Sequence, residues 1–307
     1  DWVSIVSPSG QVSDERLERS VRNLESLGLR VKLGRFVRSR SGNYGGTLKE
    51  RLADLHAAFI DREVRAIWPA RGGSGAATLL PHLNDRLIRA HPKILIGFSD
   101  ITALLVGLYR RTGLVTFHGI VSGSQLHPWS RRHLEDILFE GRAGIVITTP
   151  PEQVARARSN DEDRTRTLRG GLAEGPLVGG NLAVLASLVG TPHAAQLAGH
   201  LLFLEEIGEA PYRLDRMLFQ LQHSAGFERI AGLALGVFRR SVDGDGEPGS
   251  MHTLAQVLEE RFGAIDRPAV YGLPFGHIAP QCVLPLGIRA RLDAEAQTLT
   301  LLEPAVS

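Results

Sequence analysis

A serine, a pair of acids and a histidine in the chain could carry acyl-transfer chemistry. Ser99 follows the short apolar run 94–96 and precedes a helical pattern, so its hydroxyl is expected at a sharp strand-to-helix turn, where a serine nucleophile is exposed. Glu205 and Glu206 end another apolar run, and either carboxylate could orient a histidine. His277 stands in a Gly/Pro-rich turn after a predicted strand. Together they permit a serine–acid–histidine triad, because unrelated triads share geometry and not chain order.

Each of these residues also has a structural interpretation. Ser99 could serve only as a helix N-cap, a role that serine fills well. Glu205 and its neighbour Glu206 could pair with Arg213 or Arg216, because a carboxylate at the end of an apolar strand needs a partner. The loop histidine could be an ordinary solvated side chain. On the residues alone, these alternatives stay open.

The glycine-rich stretch 72–75 (G-G-S-G) follows the predicted strand 64–68 and has three interpretations. It could bind a phosphate through backbone N–H groups, although it lacks the Lys-Ser/Thr of a Walker motif and the G-x-G-x-x-G spacing. It could supply one N–H group of an oxyanion hole beside Ser99, with Asp100 supplying the other. It could also be only a tight turn between a strand and a helix.

Two further motifs are predicted to be structural. Cys282 lies in an apolar run, where a buried thiol is more common than a catalytic one. The acidic stretch 243–247 (D-G-D-G-E) resembles part of a calcium loop but lacks the rest of the twelve-residue pattern, so a surface loop is expected. Neither motif predicts a metal ion or another cofactor.

The apolar segments predict the elements that position these residues. Short strands alternate with amphipathic helices; Ser13 and a Thr47–Glu50 capping box begin two of the helices, and Gly113 ends a third. This alternation predicts an α/β fold whose N-terminal domain has a mostly parallel sheet flanked by helices, with ligands bound at the carboxyl ends of its strands. A C-terminal mixed α/β domain follows, and the segment 283–302 is expected to close it as a hairpin.

A change in composition divides the chain. Residues 149–171 are charged, lack aromatic side chains and show no clear period, so they are expected to form a linker. The predicted domains are therefore 1–148, which carries the candidate nucleophile, and 172–307, which carries the glutamate and the histidine. A chain of 307 residues that is 43% hydrophobic can bury a core in each domain.

The overall composition excludes several classes of protein. The formal net charge is only +2 and no run of Lys/Arg stands out, so nucleic acid is not expected as a partner. The single cysteine excludes an internal disulfide. No apolar run approaches the ~20 residues that span a bilayer, and the first residues lack a signal-peptide layout. A soluble cytoplasmic protein with no membrane partner is expected.

Six motifs, in this order along the chain, resemble the LD-carboxypeptidase family of serine peptidases, which also includes the microcin C immunity peptidases. The resemblance covers residues 3–302. The motifs are S-P-S-G at 7–10, R-G-G-S-G at 71–75, G-F-S-D-I-T at 97–102, G-G-N-L at 179–182, L-F-L-E-E-I-G-E-A-P-Y-R-L-D-R-M-L at 202–218, and G-H-I-A-P with L-P-L-G within 276–287.

The resemblance implies a catalytic triad of Ser99, Glu205 and His277 divided between two domains, and it selects the first acid of the Glu-Glu pair. It also implies an oxyanion hole formed by the N–H groups of Gly73 and Asp100, no metal ion and a homodimer. Members of the family cleave the amide between an L-centre of a diamino acid and a terminal D-alanine in murein tetrapeptide, during cell-wall recycling. The immunity branch cleaves peptidyl-nucleotide antibiotics.

An exopeptidase of this kind also needs groups that bind the peptide and its free carboxylate. The candidates for substrate binding are Gly72, Ser74 and Asn181 together with the arginines Arg71, Arg213 and Arg240.

The sequence departs from the family pattern at two positions. Ser74 stands where the family often has an aromatic residue, and Ile120 stands where it often has proline. Both changes leave the triad intact and bear on the substrate more than on the reaction.

Two other classes of protein compete with the peptidase. One is a non-catalytic binding protein, which would tolerate Ser99→Ala, and the other is a nucleotide-binding enzyme that uses residues 72–75.

Overall fold

The computed structural model of the chain describes residues 1–239, 253–263 and 265–306. Arg240 and the acidic stretch 243–247 lie outside the described residues. The chain divides into two compact units, Asp1–Leu126 with Leu284–Gly287 and His127–Val283 with Ile288–Ser307. Each unit contains its own sheet and its own helices, so the predicted two-domain α/β class is confirmed.

The first unit is built around a mostly parallel sheet. Numbered in chain order, its strands are β1 (Trp2–Val6), β2 (Arg30–Leu33), β3 (Val64–Pro69), β4 (Ile94–Gly97), β5 (Thr116–His118) and β12 (Leu284–Leu286). Among the described residues the strand order is β12-β5-β4-β3-β1-β2, and only β12 runs antiparallel to its neighbour. The helices of this unit are α1 (Asp14–Ser26), α2 (Leu48–Ile60), α3 (Asp85–Ala90) and α4 (Thr102–Thr112).

Local signals in the sequence account for the ends of these helices. The Ser13 hydroxyl accepts a hydrogen bond from the N–H of Arg16 at 3.3 Å and begins α1. Thr47 and Glu50 form the reciprocal capping box of α2, in which the Thr47 N–H donates to the Glu50 carboxylate at 2.8 Å. Gly113 ends α4 in the left-handed conformation that glycine adopts most easily. These three predictions are confirmed.

The second unit is built around a mixed sheet. Its strands are β6 (Ile145–Ile147), β7 (Arg166–Arg169), β8 (Leu172–Asn181), β9 (Leu201–Ile207), β10 (Gly232–Arg239), β11 (Ala269–Leu273), β13 (Arg289–Asp293) and β14 (Thr298–Leu301). The order of these described strands is β6-β14-β13-β8-β9-β10-β11-β7. Parallel pairing joins β8, β9, β10 and β11, and antiparallel pairing joins the strands at both edges.

Helices of the second unit connect these strands. They are α5 (Pro128–Leu138), α6 (Pro151–Arg156), α7 (Leu182–Leu188), α8 (Pro211–Gln222) and α9 (Leu254–Phe262). Because parallel strands need crossover connections, β8, β9 and β10 alternate with α7 and α8. None of the helices in the described parts of the two units is long and apolar enough to cross a membrane.

Two segments differ from the expectation drawn from composition. The charged stretch 149–171 contains α6 and β7, and β7 pairs with β11 at the edge of the second sheet. The expected linker is therefore wrong for this part of the chain. Edge strands often carry charged residues, so the composition of β7 resembles that of a linker. In the segment 283–302, β13 and β14 form the expected hairpin, whereas β12 pairs with β5 in the sheet of the first unit.

Candidate active site

Ser99 stands directly after β4, at the carboxyl end of a central strand of the first sheet. Its φ is +62°, one of only two positive values among the described residues other than glycine. Phe98, and not Ser99, is the extended residue before the first turn, so the interpretation of Ser99 as a helix N-cap is wrong. A left-handed non-glycine residue costs roughly 1–2 kcal/mol and persists only where its surroundings hold it. This strain is typical of a serine exposed at a sharp strand-to-helix turn.

The glycine-rich stretch 72–75 approaches Ser99 through its backbone. A Cβ atom added to Gly72 would lie 2.9 Å from the Cβ and 3.1 Å from the Oγ of Ser99. Gly73 has a φ of +127°, and a Cβ there would lie 3.1 Å from the N and Cα atoms of Gly10. The glycines are therefore needed because any side chain would separate this loop from its neighbours.

Asp100 and Arg51 join the loops around Ser99 to one another. One carboxylate oxygen of Asp100 accepts hydrogen bonds from the Ser9 hydroxyl at 2.5 Å and from the Ala76 N–H at 2.8 Å. The buried Arg51 guanidinium donates to the Pro8 carbonyl at 2.9 Å and to the Gly75 carbonyl at 2.8 Å. Sequence reasoning did not assign these roles to Ser9 or Arg51. For Ser9, the S-P-S-G motif was the only signal in the sequence.

Replacing Ser99 by glycine tests whether the turn is strained. Glycine adopts positive φ without a steric penalty, so we expect Ser99→Gly to raise the free energy of unfolding by about 1 kcal/mol relative to Ser99→Ala. Both variants lack the hydroxyl, and only one relieves the backbone. Urea unfolding of the two proteins measures the difference. Equal stabilities would mean that the backbone at residue 99 carries no strain.

Glu205 and His277 form the corresponding pair in the second unit. Glu205 lies near the end of β9 and is fully buried, and its Oε2 atom is 2.7 Å from Nδ1 of His277. Burial lowers the pKa of His277, but the hydrogen bond and charge of Glu205, with the charge of Glu206, outweigh burial and raise it above 6.5. A carboxylate in this position fixes the ring orientation and favours the protonated imidazole.

Gly276 allows the histidine turn to lie against Glu205. Its φ is +105°, and a Cβ atom there would lie 2.8 Å from the Cβ and 2.9 Å from the Oε2 of Glu205. The ring of Phe275 also packs edge-to-face on Phe203 of β9, with 5.8 Å between the ring centroids. The backbone before His277 is therefore held against the strand that carries its partner.

Glu206 has a different environment from Glu205. Its carboxylate accepts hydrogen bonds from the Asn181 side chain at 3.0 Å and from the N–H groups of Ile207 at 2.8 Å and Ala183 at 2.7 Å. Burial raises the pKa of Glu206 to about 7, against these three hydrogen bonds. The two acids thus differ in their contacts, because the first orients the histidine and the second anchors the beginning of α7.

An ion cluster fixes the chain beyond His277. Asp163 is almost completely buried and accepts hydrogen bonds from Arg239 at 2.8 and 2.9 Å and from Arg156 at 3.3 Å. The same Arg156 donates to the carbonyl oxygen of Ala279 at 2.8 Å. Charges buried in this way are tolerated because each has a partner. The cluster therefore holds the loop that follows the histidine.

The Gly276→Ala variant tests whether the Glu205–His277 contact depends on this glycine. We expect the kcat of any reaction that uses this pair to fall about 100-fold, because the added methyl group pushes the two side chains out of their 2.7 Å contact. The matched control is Gly208→Ala, which also has positive φ, +81°, but whose added Cβ meets no atom within 4 Å. Steady-state kinetics of the two variants separate crowding from backbone strain. Equal losses would contradict the proposed role of Gly276.

The other candidate binding residues have varied surroundings. Asn181 is buried, and besides its contact with Glu206 its Oδ1 accepts from the Val184 N–H at 3.2 Å. Arg213 is exposed, and its guanidinium lies 3.1 Å from the Tyr212 hydroxyl and 3.6 Å from the Glu209 carboxylate. The Ser74 carbonyl accepts a long hydrogen bond of 3.4 Å from the hydroxyl of Ser9.

Two expectations about rival chemistry can be compared with the described residues. Cys282 is a buried free thiol, as predicted, and burial raises its pKa. A thiol of this kind is a poor nucleophile.

Residues 72–75 lead into the 3₁₀ turn Ala76–His82, and a regular α-helix does not begin there. Across 1–239, 253–263 and 265–306, no group of three His, Cys, Asp or Glu side chains could hold a metal ion.

Comparison with known proteins identifies the family. A model of the LD-carboxypeptidase N-terminal domain matches residues 3–119, and one of the LD-carboxypeptidase C-terminal domain matches residues 174–292. The chain is 36% identical to a probable murein peptide carboxypeptidase of Bacillus subtilis, over 100% of this chain and 93% of that protein. It is 35% identical to the murein tetrapeptide carboxypeptidase of Pseudomonas aeruginosa, over 95% of this chain and 92% of that one.

A solved structure supports the same relationship. The structure of MccF in complex with glutamyl sulfamoyl guanosine matches this fold with a TM-score of 0.85 at 25% identity, covering 100% of this chain and 97% of that chain. The chain therefore belongs to the LD-carboxypeptidase family, and it is a serine-type LD-carboxypeptidase.

Proposed function

We propose that the protein removes the terminal D-alanine from murein tetrapeptide with a triad of Ser99, Glu205 and His277. The observation that carries the proposal is the left-handed backbone of Ser99 directly after β4, in a chain that belongs to a family of serine peptidases. The 2.7 Å contact of Glu205 with His277 supports the roles of the other two members. Two relatives named as murein peptide or tetrapeptide carboxypeptidases support the substrate.

The mechanism follows from the chemistry of these groups. The imidazole of His277 takes the proton of the Ser99 hydroxyl as its oxygen attacks the carbonyl carbon of the scissile amide. Glu205 holds the Nδ1–H of the ring and stabilises the imidazolium that forms. The imidazolium then protonates the leaving amine, and the C–N bond breaks. Water, activated by the same histidine, releases the acyl group and restores the serine hydroxyl.

The developing oxyanion needs donors near the serine. We propose that the N–H groups of Gly73 and Asp100 are these donors. Gly73 follows Gly72, whose backbone contacts Ser99, and Asp100 follows Ser99 in the first turn after β4. The loss of one such donor typically costs about 3 kcal/mol of transition-state stabilisation. The hydrogen bonds of the Asp100 carboxylate to Ser9 and Ala76 support this role, because they fix the backbone that would carry the donors.

Hydrolysis of murein tetrapeptide tests the proposal directly. The wild type and Ser99→Ala are incubated with the tetrapeptide that ends in D-alanine and with the same peptide ending in L-alanine, and mass spectrometry follows the loss of alanine. We expect loss only from the first peptide and only with the wild type. Equal loss with both proteins would exclude Ser99 as the nucleophile. Equal loss from both peptides would exclude the proposed stereochemical preference.

A second candidate function is hydrolysis of a peptidyl or aminoacyl nucleotide. The similarity to MccF in complex with glutamyl sulfamoyl guanosine favours it. A wild type that leaves the tetrapeptide intact but cleaves a peptidyl-adenylate in a Ser99-dependent manner would support this branch. A non-catalytic binding protein would cleave neither substrate.

We also propose that the protein acts in the cytoplasm as a homodimer, as the resemblance to the family implies. Light scattering coupled to size-exclusion chromatography of the full chain measures the oligomer. A mass equal to that of a single chain at micromolar concentration would contradict the homodimer.

A further inference from the structure

Arg71 lies close to the backbone that contacts Ser99. Its Nε atom donates to the Gly72 carbonyl at 3.1 Å, and its Nη1 atom donates to the Gln11 carbonyl at 3.2 Å. Gly72 in turn approaches Ser99 so closely that an added Cβ would lie 3.1 Å from its Oγ. Two carbonyl groups therefore fix the guanidinium of Arg71. Arg71 is the residue before Gly72, which contacts the proposed nucleophile.

Arg16 of α1 reaches the same region from another part of the chain. The Gly123 N–H donates to the carbonyl oxygen of Ala70, the residue before Arg71, at 3.2 Å. A Cβ atom added to Gly123 would lie 2.6 Å from that oxygen and 2.7 Å from Cγ of Arg16. The aliphatic part of Arg16 thus lies beside the backbone that leads into Arg71.

The positive charge of Arg71 acts on the guanidinium of Arg16. Burial lowers the pKa of Arg16, and the positive charges of Arg71 and then Arg19 lower it further, against the negative charge of Glu15. Within the described ranges no ion pair joins Arg16 or Arg71 to a carboxylate, whereas Arg19 pairs with Glu15 at 3.6 Å. Two neighbouring cations without an ion pair are stabilised when an anionic group binds between them.

We propose that Arg16 and Arg71 together bind the free carboxylate of the substrate's terminal residue. This inference rests on the proposed carboxypeptidase function and assigns the group that makes the enzyme an exopeptidase. In an LD-carboxypeptidase substrate only the amide nitrogen and one carbon separate the attacked carbonyl from this carboxylate. The cations that bind it must therefore lie next to the nucleophile. Arg71 directly precedes the loop that touches Ser99, and Arg16 lies beside the backbone that leads into Arg71. Bidentate guanidinium–carboxylate contacts would also fix the direction of the peptide.

The test compares the tetrapeptide with its C-terminal amide, which has the same shape but no terminal charge. The wild type, Arg16→Gln and the control Arg22→Gln are assayed on both peptides. Glutamine keeps the Cβ and Cγ atoms that pack beside Gly123, so the fold should be retained, and thermal melting checks it. Arg22 lies on the same helix but is exposed and paired with Glu18 at 3.7 Å.

We expect the wild type and Arg22→Gln to prefer the free acid strongly. Arg16→Gln should reduce the ratio of kcat/KM for the acid to that for the amide about tenfold or more, through KM, because one charge-assisted contact is lost. A ratio that is unchanged in Arg16→Gln would overturn the assignment of the arginines and leave the proposed function standing. A wild type that cleaves neither peptide would overturn the proposed function, and this inference with it.

Discussion

Replacing Ser99 by alanine is expected to lower kcat on murein tetrapeptide by about 10⁶-fold, because the loss of a serine nucleophile removes the covalent path altogether. The substitution deletes one oxygen atom at a position where alanine suffers the same backbone strain as serine. The free energy of unfolding should therefore change by less than about 1 kcal/mol. Pre-steady-state or endpoint assays by mass spectrometry measure the residual rate, and urea unfolding measures the stability.

Cys282→Ala is the control for Ser99→Ala, because Cys282 is the other nucleophilic side chain that the sequence singles out. Its thiol is buried and burial raises its pKa, so removing it should leave kcat within a fewfold of the wild type. A large loss in Cys282→Ala with a retained fold, together with an active Ser99→Ala, would reverse the assignment of the nucleophile.

Replacing Glu205 by glutamine is expected to lower kcat by about 10⁴-fold, because an amide can hold the imidazole in the wrong tautomer and does not stabilise its charged form. Glu205 is fully buried and lies 2.7 Å from His277, so its replacement acts directly on the ring. The matched control is Glu228→Gln, an exposed acid of the same unit that pairs with Arg229 at 3.7 Å. This control should keep full activity.

The pH profile of the Glu205→Gln variant gives a second, independent result. His277 must be neutral to accept a proton, so kcat/KM rises as the pH increases through its pKa. In the wild type this pKa is raised above 6.5, since the contact and charge of Glu205, with Glu206, outweigh burial. Without Glu205 the burial effect remains, and the acidic limb should move to lower pH. A limb that stays in place, or moves to higher pH, would contradict the proposed role of Glu205.

The turn at Ser99 could be predicted from the sequence because its causes are local. An apolar β-branched run, a glycine and a helical pattern that ends at Gly113 define β4 and α4 without any distant contact. The positive φ of Ser99 could not be predicted, because it accompanies the close approach of Gly72, which stands in the loop after β3. The helix caps at Ser13 and Thr47 were predictable for the same local reason.

Long-range features were less accessible. The contact of Glu205 with His277 joins residues 72 positions apart, and it requires a glycine before the histidine that no local pattern identifies as necessary. The role proposed for Arg16 has no signal in the sequence, because on α1 this residue looks like any polar residue on the outer face of an amphipathic helix. The strand β12 was placed in the wrong sheet, because a three-residue apolar strand has no pattern that specifies its partner.

Covalent labelling of the nucleophile tests the central claim most directly. The full chain is treated with a fluorophosphonate, which transfers its phosphorus to an activated serine oxygen with loss of fluoride, and the labelled residue is identified by peptide mapping. We expect a single adduct on Ser99 in the wild type, much slower labelling in Glu205→Gln and none in Ser99→Ala. A wild type that releases D-alanine from murein tetrapeptide while the adduct forms at another residue would contradict the account.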